Sequence, residues 1–441
     1  MPISYLPYEP QQQRLLPDAL QDWLPEGHLA YFISDSVDSL DLSAFHARYA
    51  KGGPRNQPFH PAMMVKVLIY GYATGTFSSR KLAAKLHEDV ALRVLAAENY
   101  PAHRTLSDFR ALHLEELAAL FVQVVHLARE CGLVKLGTVA VDGTKLKANA
   151  SRHKAMSYDR MVKAEGELKA QIDGLLNRAK AADDLDKSAP DLDIPAEIKR
   201  REDRLKAITE AKLRLEQRQQ DADAARGRSK DDQRKPRDKN GKPKGGRYKR
   251  DFGVPKDSAQ ESFTDIDSRI MKRSDGGYDY GYNAHTAVDE AAQIVVAAEL
   301  SNNAADSDRL PVLLAAVKAH LGDEPKQVLA DAGFRSEAVF EQLKDSPSEL
   351  IVALGREGKQ AVAIDAEQYP RTAAMQTKLK TPEGQAAYRK RKWIVEAPNG
   401  WIKSVLGFRQ FSLRGLKKVQ AEFKLVCLAL NLRRMCNLRA L

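Results

Sequence analysis

The sequence predicts an α/β (α+β) fold, preceded by an all-helical region and interrupted by a charged helical insertion. Three observations carry this prediction. From Gly137 onward, short apolar runs alternate with a helical pattern, as in strands layered against helices. From Pro61 onward, apolar residues recur at helical spacing. About 140 residues separate the first two strand-like runs, far too many for a hairpin loop. The chain has 441 residues, about three domain lengths, and its 43% hydrophobic content suffices for a core.

Residues 1 to about 60 are rich in Pro, Gly and polar side chains, and only 29–37 reads as a helix there. Met64, Val67, Leu68 and Gly71 then share one helical face. Ser78 and Ser79 form an N-cap signal before the next apolar turn, and a third short helix is expected over 90–95. Residues 105–108 resemble a capping box opening one long helix, with Phe109, Leu112, Leu117, Phe121, Val124 and Val125 along one side. Short helices with Arg80, Lys81, Lys85 and Arg93 on the surface have the layout of a helix-turn-helix DNA module. They equally have that of a helical scaffold with a solvated polar face.

Strands are expected at 138–143, 281–289, 294–300, 327–331 and 350–354, with a helix over 308–321 turning Leu310, Leu313, Leu314 and Val317 inward. The long interval after the first strand carries two stripes. Met161, Leu168, Ile172, Leu175 and Ala179 are spaced 7, 4, 3 and 4; Ile198, Leu205, Ile208 and Leu215 are spaced 7, 3 and 7. Such stripes in charged segments predict an antiparallel helical hairpin joined by the Asp/Pro-rich 181–195. The basic tract 226–250 has too few apolar residues to fold alone. It is expected to be disordered without a partner, or else a solvated linker.

The net charge of +11 is unevenly distributed. Residues 226–250 hold 12 basic and 3 acidic side chains, and 388–441 hold 13 and 2. The other 362 residues carry 45 basic and 54 acidic side chains, so a mildly acidic protein bears two concentrated basic regions. That asymmetry points to a polyanion held at defined places. Cys131, Cys427 and Cys436 are too few and too widely spaced for a disulfide framework or a Cys-rich zinc site, and fit a reducing cytosol. Neither a secretory leader nor an 18-residue uncharged apolar stretch is read, so a cytoplasmic protein outside the membrane is expected.

Asp142 and Asp331 each end an apolar strand-like run, with Gly143 directly after the first and Gly333 two residues after the second. A carboxylate at a strand end beside glycine sits where backbone can approach a ligand closely. Two such acids suit a hard cation, since Mg²⁺ takes one or two protein carboxylates plus phosphate and water oxygens. Two ions about 4 Å apart would serve an in-line phosphoryl displacement. The bland alternative is that both acids cap turns. Within 388–441 only Glu396 and Glu422 are acidic, and Glu396 follows four consecutive basic residues that could bind phosphates. Lys403, seven residues on, shares a helical face with Glu396 if the helix survives Pro398 and Gly400. A salt bridge from Glu396 to Arg391 or Lys392 explains the same residue without catalysis. His285 reads as a core or edge residue ahead of a metal ligand, and Asp265 and Asp267 as turn residues ahead of extra ligands. Trp393 and Trp401 read as helix packing, or as platforms for an unstacked base.

Several blocks point to a family. They are Phe59-His-Pro-Ala-Met-Met-Val-Lys66, Arg104-Thr-Leu-Ser-Asp-Phe-Arg110, Val141-Asp-Gly-Thr-Lys-Leu-Lys-Ala-Asn-Ala-Ser151, Gly281-Tyr-Asn-Ala-His285 and Gly407-Phe-Arg-Gln-Phe-Ser-Leu-Arg-Gly-Leu416. In these the chain resembles the DDE transposases of bacterial insertion sequences, over nearly its whole length. The resemblance implies a DNA-binding helical domain (1–135) and an RNase H-like catalytic domain (136–152 and 260–441) split by an insertion (153–259). It implies Asp142, Asp331 and Glu396 as a catalytic triad holding two Mg²⁺ or Mn²⁺ ions.

It also implies a Tyr-x-x-Arg-x-x-x-Glu-x6-Lys signature. Tyr388, Arg391, Glu396 and Lys403 match it, except that four residues separate Arg391 from Glu396. Arg391 or Lys392 therefore fills the basic position. Tyr388, Arg391, Lys392, Lys403, Arg409 and Arg414, with Arg80 and Lys81 in the helical region, become DNA-contact candidates. The activity implied is metal-dependent cleavage at element ends and strand transfer into target DNA. Its partners would be double-stranded DNA (terminal inverted repeats and target) and a second copy in a synaptic homodimer, in a cytoplasmic, nucleoid-associated setting. Two further readings stand beside it: a transposase-derived DNA-binding protein without catalysis, and an RNase H-like nuclease acting on structured DNA.

Overall fold

The computed structural model describes residues 19–49, 58–184, 194–230, 248–273, 276–355 and 364–439. Helices come first: α1 (Leu29–Asp38), α2 (Ser43–Ala47), α3 (Pro61–Ala73), α4 (Ser79–Glu88), α5 (Val90–Leu95), α6 (His103–Leu112) and α7 (Leu114–Glu130). The Ser78 and Asp89 side chains accept from the Lys81 and Leu92 amides, so α4 and α5 begin where a cap satisfies an otherwise free donor.

The single long helix expected at 105 is two helices. α6 starts at His103, so residues 105–108 lie inside it instead of capping it, and the axis turns by 73° before α7. The cause is His113, which is fully buried and leaves helical geometry at φ −102° and ψ 33°. Its ring packs against Phe45 and Phe109, and its Nε2 lies 3.1 Å from the Tyr49 hydroxyl. Burial of that ring outweighs the local helical periodicity, and Leu112 is left 49% exposed.

The rest of the chain alternates strands and helices: β1 (Thr138–Lys147), β2 (Ala155–Ser157), α8 (Tyr158–Asp184), α9 (Ile194–Ala225), β3 (Gln260–Ser262), β4 (Arg269–Lys272), β5 (Tyr278–Asp289) and β6 (Val295–Ser301). It continues with α10 (Leu310–Leu321), β7 (Gln327–Ala330), α11 (Glu337–Gln342), β8 (Glu349–Val352), α12 (Pro370–Lys380), α13 (Pro382–Gly400) and α14 (Leu416–Arg439). The fold is thus a mixed sheet with many helices. The five strands read from sequence are present; α2, α11, β2, β3 and β4 are too short to show a period. α12 buries only Thr372 and Met375 and shows no apolar stripe.

The main sheet runs β4-β5-β1-β7-β8, and β6 shares the outer edge of β5 with β4. β1 is antiparallel to β5 and parallel to β7, which is parallel to β8. β1 is longer than expected because β5 pairs with it as far as Lys147 opposite Gly281. There a Cβ on Gly281 would stand 2.7 Å from the Leu146 carbonyl, so glycine permits the pairing. β7 pairs only with Thr138, Val139 and Ala140. Asp142 is therefore mid-strand, a correction to its expected place at a strand end, but it lies beyond the reach of β7.

One continuous apolar core runs from Ala30 to Met435 and joins the N-terminal helices to the sheet through α14, which packs on α3, α7 and β6. α13 packs on β1, β5, β7 and β8. The paired helices α8 and α9 keep a separate core of Met161, Leu168, Ile208, Ala211 and Leu215, above the small β2-β3 ribbon. Residues 231–247 of the basic tract lie outside the described residues. At its flanks, Arg228 pairs with Asp223 at 3.0 Å and stacks 3.8 Å over Tyr248.

Glu422 is 1% exposed and structural. It accepts from the Ser412 and Leu413 amides at 3.0 Å and from the Tyr72 hydroxyl at 3.3 Å. Asp265 and Asp267 likewise accept from the Gly415 and Leu416 amides and anchor the start of α14. All three cysteines are free. Among the described residues, no single helix is long and apolar enough to cross a membrane.

Candidate active site

Alternation along β1 turns Asp142 and its cross-strand partner Thr286 toward α13. There Asn399 Nδ2 donates to Asp142 Oδ2 at 3.0 Å, and Thr286 Oγ1 donates to Asn399 Oδ1 at 3.4 Å. Asp331 follows β7 directly, and its Oδ1 accepts from the Gly333 amide at 2.9 Å in an Asx turn. Burial, and then the neighbouring Asp331, push the Asp142 carboxyl up to about 6, against the opposing pull of Arg391 and Asn399. A partly buried carboxylate whose charge a second carboxylate disfavours is an arrangement that a divalent cation relieves.

α13 turns Arg391, Ile394, Val395, Pro398 and Asn399 inward, residues three and four apart on one helical face. Arg391 is 8% exposed, its Nη1 lies 3.8 Å from Asp142 Oδ1 and its Nη2 3.8 Å from Glu396 Oε1. The guanidinium carbon lies 5.9 Å from the Tyr388 ring centre. Of the two candidates for the basic position, Arg391 faces the acids, whereas Lys392 is exposed on the outer side. The Glu396 side chain is 57% exposed at the rim and reaches Asp142 only through Arg391.

Among the described residues, no three His, Cys, Asp or Glu side chains form a metal-holding group. Asp142 and Asp331 still supply the two hard oxygen donors that Mg²⁺ takes from a protein, the remaining positions going to phosphate and water. The donor chemistry of this pair fits a divalent cation, and Glu396 lies at the rim, linked to Asp142 through Arg391.

α13 continues through Pro398 and passes into a π-helical turn at Trp401–Val405, so the segment stays helical despite the proline. Lys403 on that turn is half-buried. Burial and the nearby Arg409 lower its pKa, while Asp142 works in the opposite direction, so the three groups are neighbours. Arg409 is exposed on a loop tied to the end of β1. Lys147 N donates to Arg409 O at 3.1 Å, and Phe411 N donates to Lys147 O at 2.9 Å. Arg414 Nε donates to Asn149 O at 2.9 Å and clips the same loop. Arg80 and Lys81 are exposed at the start of α4. Trp401 packs 5.2 Å from the Arg433 guanidinium carbon, whereas Trp393 is exposed.

Two participants were not anticipated. Asn399, which holds Asp142, has no distinguishing sequence context. Asp306 accepts from Asn283 and His285, which lie two apart on β5 and so share one face of the strand.

Residues 258–432 match the family described as Transposase DDE domain, and residues 18–112 match the family described as Transposase domain (DUF772). No curated protein and no solved structure gives a match to the chain.

Proposed function

Since the chain belongs to the insertion-sequence DDE transposases, we propose that it cuts phosphodiester bonds at the ends of its element and joins the freed 3′ ends to target DNA. The observation that carries this reading is the meeting of Asp142 and Asp331 at adjacent parallel strands, beside Arg391, Lys403 and Arg409. The strand order β6-β5-β1-β7-β8, three antiparallel strands and then two parallel to the first, supports an RNase H-like core. In this reading the core spans 136–152 and 260–441, the insertion spans 153–259, and the helical region 1–135 contacts DNA.

Asp142 and Asp331 would hold divalent cation, Mg²⁺ or Mn²⁺, with Glu396 as the third acid. Bound there, such ions, two in the full site, lower the pKa of the attacking oxygen and stabilise the leaving one. Arg391 ties Glu396 to Asp142 and so keeps α13 in register with β1. Lys403 and Arg409 place two positive charges where the scissile phosphate must lie, and neutralise it. Water attacks phosphorus, the P–O3′ bond breaks, and the 3′-hydroxyl stays on the element. That hydroxyl then attacks a target phosphodiester in a second displacement. No protein nucleophile takes part, so the chain's task is orientation and charge stabilisation. Tyr388, Lys392, Arg414, Arg80 and Lys81 extend the DNA contact outward, and a homodimer would bring two element ends together on nucleoid DNA.

The test is incubation of the protein and Mg²⁺ or Mn²⁺ with DNA carrying the inverted repeats that flank its gene. Cuts at the repeat ends and strand transfer are expected, and Asp142→Asn, Asp331→Asn and Glu396→Gln should each abolish both. If all three variants cut like the wild type, the triad is wrong. End binding without cleavage in either metal would favour a DNA-binding protein instead.

A further inference from the structure

β5 carries a second polar group on the face opposite Asp142. Register sets Gly143 beside His285, and alternation turns Gly143, His285 and Asn283 away from α13. Asn283 and His285 are 1% and 0% exposed, and both aim at one atom. Asn283 Nδ2 lies 2.6 Å, and His285 Nε2 2.8 Å, from Asp306 Oδ1. His285 Nδ1 has no hydrogen-bond partner among the described residues, and Nε2 is the ring nitrogen that faces Asp306. Burial works to raise the Asp306 carboxyl, but the His285 and Asn283 donors outweigh it and hold the group below its usual range. Asp306 is therefore a charged, anchored carboxylate.

Its position is set by two glycines. A Cβ on Gly143 would stand 2.7 Å from Asp306 Oδ1. A Cβ on Gly333 would stand 2.9 Å from Asp306 Oδ2 and 3.0 Å from Asp331 Oδ1, so these two carboxylate oxygens flank one point. The glycines that follow Asp142 and Asp331 are thus the room that Asp306 needs.

We propose that Asp306 is a positioning residue of the DDE centre. Anchored by Asn283 and His285, it spaces the backbones that carry Asp142 and Asp331, and its charge strengthens divalent-cation binding at that pair. This rests on the transposase reading for the reaction, but its cation arm can be tested without DNA. Groups just outside a metal's ligands change its affinity by about 10–100-fold.

Mn²⁺ binding to the full-length protein, read by calorimetry or electron spin resonance, gives the first measurement. Asp306→Asn keeps the side-chain shape and should weaken Mn²⁺ by about tenfold or more. In cleavage assays the same variant should regain most of the wild-type rate as Mn²⁺ is raised, whereas Asp331→Asn should not recover at any concentration. If Asp306→Asn misfolds, Gly333→Ala keeps every charge, crowds Asp306 against Asp331, and should also weaken Mn²⁺. Unchanged Mn²⁺ affinity in a folded Asp306→Asn or Gly333→Ala protein overturns the proposal. Wild-type protein whose Mn²⁺ binding depends on Asp306 but which cuts no element end would overturn the transposase reaction and leave the role of Asp306 standing.

Discussion

Asp142 is ionised at neutral pH in a place that disfavours its charge. Its carboxyl rises from the ordinary 3.8 to about 6, first through burial and then through Asp331. A raised folded pKa means that the folded protein holds this proton more tightly than the unfolded chain does. The stability tied to it is fully present below about pH 4 and is lost as pH rises through about 6, a difference of about 2–3 kcal/mol. Asp142→Asn should therefore stabilise the cation-free protein at pH 7.5 by up to about 2 kcal/mol while abolishing cleavage, and the gain should vanish near pH 4. Denaturant unfolding at the two pH values checks this, and equal stability at pH 7.5 would contradict the electrostatic account. In the proposed reaction the same titration predicts an acid limb: cleavage should fall as pH drops through about 6, because protonation would take Asp142 from the cation.

At the level of elements, α13 decides how the acids meet. Its inward face carries Arg391 and Asn399 to Asp142, and Glu396 falls on the more exposed side of the same helix. Removing either inward group takes away an influence that lowers the Asp142 pKa. Arg391→Met and Asn399→Ala should each shift the acid limb of the cleavage profile to higher pH, and Arg391→Lys should shift it less. A pH–rate series compares them; coincident acid limbs would mean that α13 does not tune Asp142. The helix itself was readable, but its passage through Pro398 was not. Proline removes one ladder donor and crowds the preceding turn, and burial of Ile394, Val395 and Pro398 against the sheet outweighs that loss.

Across the whole molecule, two cores of unequal standing appear. The N-terminal helices and the sheet share one, and Glu422 seals their joint, bonding the 407–415 loop and Tyr72, which also accepts from Arg110 at 2.9 Å. Glu422→Ala strands several buried donors and should cost about 3 kcal/mol or more, measurable by chemical denaturation. The α8–α9 pair has its own core, and Ser157 pairs with Gln260 where it is attached. Replacing residues 158–259 with a two-residue Asn-Gly turn should therefore leave one cooperative thermal transition. Its loss would show that the hairpin supports the sheet.

The amino-acid order alone was enough for features that depend on near neighbours. The periods of β1, β5, β6, β7 and β8, the cap of α4, and the stripes of α8 and α9 are all local, and so was the concentration of charge in 388–441. It also marked Asp142, Asp331 and Glu396 as acids in unusual contexts. Relations across the chain were decided only by packing. His113 broke a periodic helix because its ring was buried between elements far apart in sequence. Arg391, and not Lys392, turned to the acids because α13 docks one face on the sheet. Asp306 reached Gly143 and Gly333, and Asn399 reached Asp142, across separations of 163, 27 and 257 residues. Side-chain direction at that range follows from which faces are buried against which, and no local pattern encodes it.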